Sequence, residues 1–168
     1  VVRELHVDSE GHLREVDGRS CRVVRVLHAE GPLFFGAAAE LESALDEALA
    51  DDALRVLLLR LKRTQGMDLS AAHVLEDAAS RLRARGGRLL LVGLLPDPLA
   101  LLERTGVAAE IGPENIFPSR SGWFAAMDEA LAEGLAHDHH GDDCPLMEYI
   151  ASRDAHGVAD LEIHREEH

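Results

Sequence analysis

The stretch Met67-Asp68-Leu69-Ser70-Ala71 sets a carboxylate and a hydroxyl two residues apart, where a loop gives way to a helical period. Asp68 or Ser70 can cap that helix by accepting an N–H bond from its first turn. Ser70 can also carry a phosphate, which would meet free backbone N–H groups and the positive end of the helix dipole. A catalytic pair would need a base, and the nearest one, His73, falls on the polar side of the helix. Capping is the ordinary reading of such a pair before an apolar periodic run. The loop Thr64 to Ser70 is the candidate partner or regulatory face, with Thr64, Asp68, Leu69 and Ser70 as its residues and Ser70 as a candidate phosphorylation site.

A second set of reactive side chains lies near the C-terminus. Six of the ten histidines are His137, His139, His140, His156, His164 and His168. In HDHHGDDC, His137, His139, His140 and Cys144 crowd together, and imidazole with thiolate suits zinc, nickel or copper. Their spacing matches no structural-zinc pattern, so a solvated acidic tail with incidental histidines is the simpler reading. Dinucleotide-loop, P-loop, nucleophile-elbow and zinc-protease motifs are absent from the sequence. The expectation is therefore a protein that is not an enzyme, with no catalytic residues and no cofactor.

Composition narrows the class further. A chain of 168 residues suits one domain with a real core. Aromatics are only 4%, so that core must be built from Leu, Val and Ala. The net charge of -14 argues against nucleic acid and against anionic lipid, both of which need a basic footprint. Residues 135–168 hold nine acids and two bases, half of the acidic excess in a fifth of the chain. Cys21 and Cys144 form no C-x-x-C pair, and no apolar run approaches the roughly 20 residues of a membrane span. The chain opens Val1-Val2 and first reaches methionine at Met67, which suggests a piece of a longer protein.

The elements that must position the loop follow from periodicity. Residues 1–20 read as an extended lead-in or hairpin. Cys21 to Ala29, Leu54 to Lys62 and Arg88 to Leu94 read as strands, the last two buried on both faces. Ala38, Leu41, Leu45, Ala48 and Leu49 share one helical face, as do Ala71, Ala72, Leu75, Ala78, Ala79 and Leu82. PDPLALLERTG is a short helix, VAAEIG a brief edge strand, and SRSGWFAAMDEALAEG a last helix burying Phe124, Met127 and Leu131. CPLMEYIASR can add a short helix, docking through Leu146, Met147 and Ile150. Phe34 and Phe35 point to opposite sides of an extended chain; core packing is expected for both, and Trp123 suits either the sheet or an interface. Strand–helix alternation implies crossover units and a largely parallel sheet.

In this order, VLHAEGPLFFGAAAELESAL, the buried strand with its Asp-bearing loop and helix, RLLLVGL, and IGPENIFPSRSGWFAAMDEAL resemble the STAS domain. That module is shared by sulphate transporters and anti-sigma-factor antagonists. The likeness is strongest to the cytosolic C-terminal domain of SulP anion transporters. It implies an α/β fold of about four strands in a mostly parallel or mixed sheet, with four to five helices mainly on one face. The STAS domain would span residues 1–134, and 135–168 would be an acidic, His-rich tail.

The resemblance also implies a non-catalytic regulatory or interaction role. Its partners would be the membrane domain of its own transporter, for sulphate, bicarbonate or a dicarboxylate, and other cytosolic proteins. The domain itself would not insert, and would lie at the cytoplasmic face of the membrane. In anti-sigma antagonists the matching loop carries its phosphorylated serine directly after the aspartate. That position here is Leu69, which has no hydroxyl, so the transporter branch is favoured. The alternatives are a free-standing antagonist-like regulator and a metal-binding protein using the tail.

Overall fold

The computed structural model describes residues 1–10, 12–15, 18, 19, 21–61, 63–119, 125–136 and 144–152. Six strands form one mixed sheet: β1 (Val2–Val7), β2 (Leu13–Arg14), β3 (Val24–Ala29), β4 (Val56–Arg60), β5 (Arg88–Leu94) and β6 (Ile116–Pro118), in the order β2-β1-β3-β4-β5-β6. β3, β4, β5 and β6 run parallel, whereas β1 lies antiparallel to β3 and to β2. The sheet is wider than four because the lead-in is a true hairpin. Val2 to Leu5 pair with Ala29 back to Val26, and Glu4 clamps Arg25 across the same two strands.

Period sets the faces. Leu27, Ala29, Leu57, Leu59, Leu89 and Leu91 point to one side, where they meet α1 (Phe35–Leu49), α2 (Leu69–Ala84), α3 (Pro96–Arg104) and α4 (Val107–Ile111). Val24, Val26, Val56, Leu58, Leu90 and Val92 point to the other, where α5 (Ala125–Ala136) and a helix over 145–152 cover them. The apolar faces expected for α1 and α2 are buried residue for residue. Met127 and Leu131 are buried as expected, while Trp123 and Phe124 lie outside the described residues.

The expected edge strand VAAEIG is instead the helix α4. Gly106 sits at φ 80, a left-handed conformation that reverses the chain after α3 without side-chain strain. Val107, Ala108 and Ile111 then share one helical face and are buried in the first cluster. The edge strand comes one step later, at β6.

Between α2 and β5, Gly87 lies so close to the neighbouring strand that a Cβ there would sit 2.0 Å from the Arg55 carbonyl oxygen. That oxygen accepts the Arg88 N–H at 2.8 Å and fixes the start of the β4–β5 ladder. Gly87→Ala is expected to force the two strands apart and cost on the order of 2–3 kcal/mol. A urea unfolding midpoint lowered with unchanged slope would show it.

Candidate functional site

Because β3 and β4 are parallel, α1 and α2 begin side by side at one edge of the sheet, the edge where α/β folds place their sites. The two connecting loops are joined there. Leu33 donates its N–H to the Gly66 oxygen at 2.8 Å and accepts from the Asp68 N–H at 3.0 Å, so Leu33 and Met67 form a parallel bridge. Both are buried, which anchors the loops to the first core.

Asp68 is the cap. Its backbone is extended, and its Oδ1 accepts the Ala71 N–H at 3.0 Å. Leu69 is then the first helical residue, 49% exposed, and Ser70 the second, also exposed. Thr64 is 1% exposed, so of the four candidate residues it alone faces inward; its N–H donates to Leu61.

The residue that pattern reading put in the core is Phe34. It ends the matching loop at the start of α1 and is 52% exposed, with its ring lying over Gly66. The bridge explains this. Leu33 takes the inward position, and in an extended chain the next side chain must point out. Phe34 and Leu69 thus stand exposed at adjacent helix starts.

The metal expectation falls largely elsewhere: His137, His139 and His140 lie outside the described residues. Cys144 is buried on the second face beside Cys21.

A polar group near the same sheet edge, on the second face, had no sequence motif. His28 and Arg60 are register partners on β3 and β4. Glu15, His28 and Glu30 bring their ligand-type atoms within 4.8 Å of one another. Arg3 already pairs with Glu15 at 2.5 Å and Arg63 with Glu30 at 2.7 Å, so a cation would have to displace guanidinium groups, with Arg60 close by. The set reads as an ion-pair network. Burial, followed by the charge of Arg60, holds the His28 imidazole below its ordinary range.

Fold and loop together define an α/β domain that presents an apolar pair where two helices begin. The STAS domain model matches residues 17–122, and the chain belongs to the STAS domain family. YvdB of Bacillus subtilis, named as a sulfate transporter, is 39% identical over 88 residues, which are 52% of this chain and 16% of YvdB. The chain thus matches only a small part of that relative. A sulfate transporter family protein from Wolinella succinogenes superposes with a TM-score of 0.57 at 28% identity, over 70% of this chain and 89% of that one. The STAS domain of a SulP transporter from Vibrio cholerae gives 0.53 at 28% identity, over 71% and 90%. No helix among the described residues is long and apolar enough to cross a membrane.

Two outcomes follow. Asp68→Ala is expected to cost about 1 kcal/mol in urea unfolding, and Ser70→Ala close to nothing, because only Asp68 holds the α2 N-terminus. The second concerns acid. His28 binds its proton less readily folded than unfolded, so its contribution is intact above the ordinary value of 6.5 and is lost as pH falls below it. His28→Gln is expected to flatten that part of the stability–pH curve, read from melting temperatures between about pH 7 and pH 5.

Proposed function

We propose that this STAS domain is a non-catalytic docking and regulatory module of a SulP-type anion transporter, working at the cytoplasmic face of the membrane that holds the transporter. The carried anion would be sulphate, bicarbonate or a dicarboxylate. Selectivity among these would lie in the membrane part. The docking face is the sheet edge where α1 and α2 start, centred on Phe34 and Leu69 with Asp68 and Ser70 beside them.

The observation that carries this is the exposed apolar pair on a rigidly bridged loop. An aromatic and a leucine held outward by backbone bonds cost a lone domain solubility, whereas a partner surface can bury both. Leu69, at the place of the antagonists' phosphorylated serine, counts against the free-standing regulator.

The test compares Phe34→Asp with Leu69→Asp, singly and together, for binding of this chain to proteoliposomes carrying the transporter's membrane part. Each change is expected to leave the melting temperature within a few degrees, since both side chains are already exposed. Binding should weaken by more than about tenfold, because well-packed anchors carry roughly 2 kcal/mol or more. Unchanged binding by a folded double variant would contradict the proposal.

A further inference from the structure

The two cysteines sit at opposite ends of the sequence and meet in space. Cys21 lies just before β3; Cys144 opens the 145–152 helix, its carbonyl accepting the N–H groups of Met147 and Glu148. They are 9% and 6% exposed and share the second-face cluster with Val24, Leu131, Leu146 and Tyr149. Neither is in a disulfide, and the Cys144 side chain interacts with that of Cys21. The Cys21 sulfur also accepts the Val24 N–H at 3.4 Å, which orients it. Leu146 and Tyr149 are buried, and Arg19 pairs with Glu148 at 2.5 Å on the exposed surface, where such a pair contributes little.

We infer that Cys21 and Cys144 form a reversible disulfide that fastens the 144–152 segment to the second face of the sheet. The oxidant is a low-molecular-weight disulfide. One cysteine loses its proton and attacks a sulfur of that reagent, giving a mixed disulfide and one free small thiol. The second cysteine then attacks the mixed disulfide, closing the Cys21–Cys144 bond and releasing the second small thiol. Two protein thiols are oxidised and one small disulfide is reduced to two thiols. Burial raises the Cys21 thiol above its ordinary range and excludes the reagent, so the first step requires the 144–152 segment to lift. The second step is fast, because refolding returns the partner sulfur to its place. Oxidation therefore locks the closed form, and reduction leaves the segment held by non-covalent contacts.

The test uses the full chain, reduced and then incubated with oxidised glutathione at mildly alkaline pH. The expected product has lost two hydrogens in its intact mass, carries no glutathione and resists alkylation. Its melting temperature should rise by about 5 °C or more, reversed by dithiothreitol, because the bond closes a very long loop. Cys21→Ser and Cys144→Ser should each show no such rise and should keep one sulfur free or glutathione-capped. Four results would overturn the inference: thiols that stay free, wild-type chain that stops at the mixed disulfide, only intermolecular dimers, or closure only in denaturant. If a serine variant fails to fold, the mass and alkylation of the wild-type chain still decide.

Discussion

Three parallel strands that are apolar on both faces constrain everything else in this domain. Val56, Leu57, Leu58 and Leu59 follow one another along β4 and all are buried, so neither side of the sheet can face water. Burying one leucine contributes roughly 2 kcal/mol, and leaving either face open would forfeit several such terms. α1 to α4 close the first face. The second needs α5 and the 145–152 helix, which draws a piece of the acidic C-terminal stretch into the core.

The candidate site is a consequence of that sheet. Parallel strands deliver their outgoing chains to the same edge, and the Leu33–Met67 bridge locks the two outgoing loops to each other. With Leu33 turned inward Phe34 points outward, and Leu69 begins α2 off the face that Ala71, Ala72 and Leu75 bury. The cap at Asp68 adds its own bond and leaves Ser70 in solvent at the second helical position. The proposed recognition through this edge would use backbone geometry for rigidity and two apolar side chains for contact.

Much of this was legible in the residues. Strands β3, β4 and β5 and the buried faces of α1 and α2 follow from valine and leucine runs and from helical spacing, because burial is what the period encodes. A cap at Asp68 or Ser70 was visible from their place before that period, and the structure gives it to Asp68. The VAAEIG stretch was not: five residues with apolar positions at its ends satisfy either period, and Gly106 decided for a helical turn. Phe34 was misplaced because local sequence does not show that Leu33, in its tertiary bridge to Met67, takes the inward place before it. Of the three residues expected to dock the late helix, Leu146 is buried and Ile150 packs partly against the second cluster, but Met147 is exposed; Tyr149 takes the inward place. The meeting of Cys21 with Cys144, and of His28 with Arg60, depends on strand register and on which face each side chain takes. Neither is carried by local sequence.

The most direct test of the docking edge is amide hydrogen exchange on this domain alone and within the assembled transporter. Docking through the bridged loops should raise protection at residues 33–36 and 64–72 and leave the exposed sides of α3 and α4 unchanged. Protection gained on another face, with none at those two loops, would contradict the assignment of this edge as the partner surface.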